Sequence, residues 1–354
     1  MKTNPSAYLF GTDGSISDHS GNSILFSLDQ FETKICKKGH CFVCGQAPNS
    51  NFNNEHVIPR WLQRLCGLQK ETLTLPTGSH IKYGTYKISC CGSCNSRLGN
   101  YYENPISNIL SGGFEKTRDY LMSEGKEKLC CWLSLVFTKV HLRDFKNRIS
   151  PDLREDHEVI GDKHSLGELH HIHALARAGL FGISIDTKIF GSITIVRIDY
   201  SGEPTFDYCD NLLGRGILLR VNDLAIIHTF DDCGAVSSML EHQLAALNSP
   251  LSKLQLRELY ARHLAANAHI KERPEFLTRI DPTNAEPIIS ANIPEELTTY
   301  PYSPTIFGHF LAGSIGNHAS SISIDGQTGG DALELIETGH VSFLFDEDGK
   351  FIAP

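Results

Sequence analysis

The stretch Asn53-Asn54-Glu55-His56-Val57-Ile58-Pro59-Arg60-Trp61-Leu62 is where reading of the chain begins. Glu55 and His56 are neighbours. On an extended strand they point to opposite sides, so one can hold a cation while the other faces water. At a strand end or bulge both can be aimed into one cleft. Two C-x-x-C units flank the stretch, Cys41-Phe42-Val43-Cys44-Gly45 before it and Cys91-Gly92-Ser93-Cys94-Asn95 after it. In such a turn both sulfurs can face one ion at about 2.3 Å, and two turns complete a tetrahedron. Gly45 suits a knuckle, where the backbone often needs a positive φ. Cys90 replaces Cys91 only by shifting the turn register, so Cys91/Cys94 is the preferred pair. Four thiolates leave no open position for substrate, so the expected ion is a structural zinc. The bland alternative is four unrelated core cysteines. A redox role needs a βαβ setting that the pattern lacks.

The remaining cysteines are Cys36, Cys66, Cys90, Cys130, Cys131, Cys209 and Cys233. They read as small buried hydrophobes. Eleven cysteines, an odd number, without a leader at the N-terminus, point to a reducing compartment, and the cytoplasm is expected. No run of about 18 apolar residues occurs, so no membrane span is expected, and no membrane partner.

Phosphodiester hydrolysis needs a base to take a proton from water and a cation to neutralise the phosphate. Imidazole suits the first task and an oxygen-bound divalent ion the second. A helix starting in the second knuckle places Asn95 on its first turn beside Cys94, so zinc would fix the direction of the Asn95 side chain.

The order C-x-x-C, acid-His-x-Ile-Pro, C-x-x-C-Asn resembles the zinc-knuckle bacterial branch of the HNH endonuclease superfamily. Here it reads Cys41/Cys44, Glu55-His56-Val57-Ile58-Pro59, Cys91/Cys94-Asn95. The similarity covers about residues 36–140 and takes in Arg60-Trp61-Leu62, Glu103 and the segment Cys130 to Lys139. It implies a ββα-metal finger with a zinc held by the four cysteines. It implies His56 as general base, and Glu55 and Asn95 as ligands of a catalytic divalent ion. It also implies a DNA substrate and a place in bacterial defence against foreign DNA. Two departures stand out. The stretch Thr85 to Ser89 lacks the middle Asn of many members, and Asn95 stands where many have His. Asn is a neutral, weaker ligand, which favours magnesium or manganese. Arg60 and Arg97 are candidates for phosphate contact, Arg97 by a bidentate clamp or, in the bland reading, a surface salt bridge. Glu103 is read as bracing the helix.

The net charge of −9 is unevenly spread. Residues 31–100 hold nine Lys and Arg against three Glu, a balance of +6, which leaves −15 elsewhere. A basic segment in an acidic chain is what a local phosphate-binding face gives.

The 354 residues suggest two domains, possibly three, and the chain reads as a two-domain α+β protein with an N-terminal arm, three segments in all. These are an arm or hairpin over 1–30, the nuclease module with packing helices over 31–148, and a separate α+β domain over 149–354. In that last part a strand is expected within Ile189 to Tyr200, a hairpin turning at Asn222-Asp223, and helix from Ala235 to Ala268 with a break near Pro250. Loops are expected over 274–330 and a closing hairpin at the end. Its acidity makes it a poor DNA grip and points to an activator, a partner protein or a second subunit. His170-His171-Ile172-His173 lacks acidic or Cys partners at ligand spacing and reads as ordinary histidines. Gln327-Thr328-Gly329-Gly330 lacks the ending of a phosphate-binding loop. The rival readings are a non-catalytic zinc-finger module that binds nucleic acid, and an RNA-directed or toxin nuclease.

Overall fold

The computed structural model describes residues 8–150, 152, 154, 157–248, 250–281, 286–316, 322–324 and 326–354. The chain is mixed α+β, with helices and several small sheets. It forms two compact units. One is Met1–Ser111, Glu127–Asp186 and Phe276–Ser290; the other is Gly112–Lys126, Thr187–Glu275 and Ala291–Pro354. The division expected at 148/149 thus differs from the compact units. Helices Glu127–Asp144 and His170–Phe181 pack on each other, and both belong to the first unit.

In the first unit, strands β1 (Tyr8–Phe10), β2 (Ile16–Asp18) and β3 (Ser23–Leu25) form an antiparallel meander where an arm or hairpin was expected. Asp13 and Asp18 shape its turns by accepting backbone N–H groups from Ser15, Ser20 and Asn22. Strand β4 (Glu55–His56) comes next, then the hairpin of β5 (Thr72–Thr74) and β6 (His80–Lys82), then β7 (Lys87–Ile88). β7 pairs antiparallel with β4, Glu55 opposite Ile88 and His56 opposite Lys87. Helix Gly92–Leu98 follows at once.

The centre of this unit is helix Glu127–Asp144. Every residue from Leu129 to Val140 is buried, as expected of a helix apolar on all faces. Trp132 and Phe137 are among its fully buried side chains. Tyr86, next to β7, donates its hydroxyl to Asp144 at 2.7 Å and so ties the ribbon to this helix.

The first unit also holds β8 (Ser184–Ile185); in the second, β9 (Ile193–Arg197), β10 (Phe206–Asn211), β11 (Gly216–Val221) and β12 (Leu224–Thr229) form an antiparallel sheet ordered β10-β11-β12-β9. β11 and β12 are buried along their whole length. Their turn uses Asn222 at φ 56°, a left-handed conformation that Asn tolerates. Helix Lys253–Ala268 is capped by a Ser252/Gln255 box. It packs so closely on β11 that a Cβ at Gly216 would lie 2.6 Å from Leu264. The break between Ala246 and Lys253 falls where Pro250 predicts it.

Two expectations differ here. The stretch 274–330 holds strands at Glu275–Ile280 and Pro287–Asn292 and helix Pro304–Ile315. That helix starts on a proline, which is favoured at a first helical position, and buries Phe307, Leu311, Ala312 and Ile315. Gly308 lets it approach the Glu337 carbonyl, where a Cβ would sit at 2.4 Å. The expected closing hairpin is a single bridge, Phe345 to Phe351, around a turn at Asp346.

Candidate metal centre and adjoining residues

The two knuckles are brought together by backbone pairing. Phe42 N–H donates to Ser89 at 3.4 Å, and Phe52 bridges to Cys91. In the first knuckle Gly45 N–H closes on Cys41 C=O at 2.8 Å. Gly45 stands at φ 75°, and a Cβ there would meet the Phe26 ring at 2.7 Å. Both the conformation and the space therefore require glycine. In the second knuckle the helix begins at Gly92, so Cys91 and Cys94 lie one turn apart on the same side.

The sulfurs of Cys41, Cys44, Cys91 and Cys94 all lie within 4.8 Å of one another. Tetrahedral zinc at a Zn–S distance of about 2.3 Å sets its sulfurs about 3.8 Å apart, and the Cys44 and Cys91 sulfurs are 3.8 Å apart. The donor set fits a divalent, sulfur-loving ion. It is also the only group of three or more His, Cys, Asp or Glu side chains so placed among the described residues. Cys90 is a neighbour rather than a member. Its thiol lies 3.9 Å from the Cys41 sulfur, and the Cys91 N–H donates to that sulfur at 3.4 Å. Hydrogen bonds among the thiols pull the Cys41 pKa well down and push those of Cys44 and Cys94 up, so Cys41 is the first of the three to become a thiolate.

Helix His170–Phe181 clamps the first knuckle from behind. His173 bonds the Phe42 carbonyl through Nε2 at 2.6 Å, and the Arg177 Nε donates to the Val43 carbonyl at 2.5 Å. His170 bonds the Phe26 carbonyl at 2.7 Å, and His171 stacks on Phe276. The histidine run thus serves packing and backbone contacts, as the sequence suggests.

His56 is half-buried at the end of β4. Among the described residues its ring makes no hydrogen bond. Burial first, and then Lys87 across the ribbon, push its pKa below the usual imidazole range, while Glu55 opposes them. Arg60, exposed at the start of helix Arg60–Leu65, and Lys139 add to the positive surroundings. Asn95 lies on the first turn of the knuckle helix, as expected. Its Nδ2 donates to Asn53 Oδ1 at 2.8 Å and to the Asn54 carbonyl at 3.3 Å, so it touches the chain just before β4. Asn54 has φ 51°, an irregularity at the strand entry of the kind that re-aims side chains.

Glu55 goes the other way. It is buried, and its Oε1 accepts from the Nζ of Lys139 at 3.1 Å. Lys139 is itself fully buried; it also donates to the His56 carbonyl at 2.9 Å and lies 3.8 Å from Glu103. Glu103 accepts from Trp61 Nε1 at 2.6 Å and Trp132 Nε1 at 3.4 Å, the bracing role read from sequence. Burial raises the Glu103 pKa, with Lys139 opposing. Arg97 donates to the Leu180 carbonyl and lies over the Phe181 ring at 5.0 Å, which places its guanidinium on helix His170–Phe181.

No family model, no curated protein and no solved structure matches this chain.

Sequence reading gave no individual role to Lys139, Asn53 or Arg177. Lys139 had a signal, a single cation inside the apolar run Leu129 to Val140. A charge in such a run needs a buried partner. Arg177 had the same signal among the alanines and leucines of Ala174 to Leu180.

Proposed function

We propose that this chain is a metal-dependent endonuclease that hydrolyses DNA phosphodiester bonds, with His56 as general base. The observation that carries the reading is His56 itself. Its imidazole has no hydrogen-bond partner among the described residues, and burial and neighbouring cations favour its neutral, proton-accepting form. It sits on a two-stranded ribbon followed directly by the helix that carries Cys94 and Asn95.

In this reading His56 takes a proton from water, and the resulting hydroxide attacks the phosphorus as the sugar oxygen departs. Lys87 and Arg60 make the surroundings attractive to a phosphate. Lys139 holds the His56 backbone through its carbonyl, so the strand end cannot drift. A magnesium or manganese ion, when bound, would neutralise charge on the phosphate and leaving oxygen. Asn95 and Glu55 would hold it, Glu55 with one oxygen already committed to Lys139. Cys91 and Cys94 would, with a structural zinc bound, keep the knuckle helix, and with it Asn95, in place.

One observation favours a second reading, a zinc-stabilised module that binds nucleic acid without cutting it. Glu55 is already neutralised by Lys139, which weakens its case as a metal ligand. Incubating the protein with supercoiled plasmid, and separately with structured RNA, in magnesium or manganese separates the readings. Nicking or linearisation of the plasmid that EDTA abolishes supports the nuclease. Cutting confined to RNA moves the substrate class, and binding without cutting under every metal supports the module.

A further inference from the structure

We propose that Arg177 is the built-in counter-cation of a four-thiolate metal site, so that metal affinity depends on its positive charge. The inference stands on the cysteine cluster and holds whether or not the chain cuts DNA. Arg177 is 1 % exposed. Its Nε donates to the Val43 carbonyl, NH1 to the Ile24 carbonyl at 3.2 Å and NH2 to the Ser23 carbonyl at 2.7 Å. Its plane lies over Phe26 and Phe181, 4.1 and 4.7 Å from the ring centroids. All of these partners are neutral. Among the described residues no carboxylate pairs with it.

Guanidinium stays protonated in proteins, and an isolated buried charge is costly. Carbonyls satisfy its donors but do not cancel its charge. Arg97 is a further cation acting on it and adds to the excess. Negative charge on the sulfurs of Cys44, Cys94 and Cys41 would stabilise it. Four neutral thiols would leave Arg177 uncompensated. Four thiolates around a divalent ion carry a net charge of −2, and Arg177 brings the buried assembly to −1. Val43, the residue that receives Nε, lies between the ligands Cys41 and Cys44, so the cation is fixed to the loop that presents them. Partners of this outer kind commonly set metal affinity.

The test compares wild type with Arg177→Lys, which keeps the charge, and Arg177→Gln, which keeps a donor and loses the charge. Zinc affinity is read by competition with a chromophoric chelator, on full-length protein whose fold is checked by circular dichroism. Arg177→Gln is expected to bind zinc at least about tenfold more weakly than wild type, and Arg177→Lys to fall much less. Unchanged affinity in Arg177→Gln, or an equal loss in Arg177→Lys, overturns the proposal. Hydrogen exchange of the wild type covers the case in which neither variant folds. Removing zinc is expected to deprotect Ser23–Leu25 and His170–Phe181, the segments Arg177 joins; protection unchanged by zinc removal overturns the proposal.

Discussion

Lys139 shows how one side chain can set a local structure that the neighbouring sequence does not reveal. It is enclosed by the carboxylate of Glu55, the carbonyl of His56 and the carboxylate of Glu103, drawn from segments far apart in the chain. Removing one partner of such a pair leaves a buried charge behind. Lys139→Met is therefore expected to cost about 3–5 kcal/mol, and the double variant Lys139→Met/Glu55→Gln to recover part of that loss. Urea denaturation checks both, and a double variant no more stable than the single one would contradict the pairing. Gly45 gives a second case. Ala at φ 75° costs about 1–2 kcal/mol for a left-handed backbone, before the Phe26 ring has to move. Gly45→Ala should lower the melting temperature and loosen zinc. The cysteine spacing made the cluster legible in the sequence because each pair is local. The partners of Glu55 and Arg97 were not legible, since they sit on helices that only tertiary packing brings near.

Among elements, those with a local signal were read from the sequence and those defined by packing were not. The β11–β12 hairpin announces itself by Asn222-Asp223 between apolar runs, and the start of helix Lys253–Ala268 by the break near Pro250. Helix Pro304–Ile315 hides behind Pro, Ser and Gly, because its identity rests on one buried face and on the close approach at Gly308. The second unit also stores a pH response in its core. His228, on β12, bonds the Ser192 carbonyl, and His263, on helix Lys253–Ala268, bonds Thr194 and the Leu259 carbonyl. Burial pulls both pKa values down to about 4. A depressed folded pKa means that the native state binds fewer protons than the unfolded chain. The stability these groups contribute is therefore complete above about pH 6.5 and is lost as pH falls through 4, by roughly 3 kcal/mol for each histidine. Denaturation midpoints of the second unit should fall steadily from pH 7 to pH 4. His263→Gln should flatten that fall, and a midpoint constant over the range would contradict the assignment.

For the molecule as a whole, the sequence conveyed a mixed α+β chain with a four-cysteine centre, and among the described residues no helix is long and apolar enough to cross a membrane. It did not convey the division into units. The chain leaves the first unit at Gly112, returns at Glu127 and returns again at Phe276; a composition shift marks only a linear boundary. Since all four cysteines lie in the first unit, chelating the metal should raise hydrogen exchange there and leave β9–β12 protected. Equal deprotection of both units would show that the metal does not act locally. The proposed activity rests on His56, and the most direct test is single-turnover cleavage of DNA in magnesium or manganese by wild type and by His56→Ala, both holding zinc. The expected result is a loss of at least about 100-fold for the variant, the contribution of a positioned base. Cleavage by His56→Ala at the wild-type rate would contradict the assignment of His56 as the base.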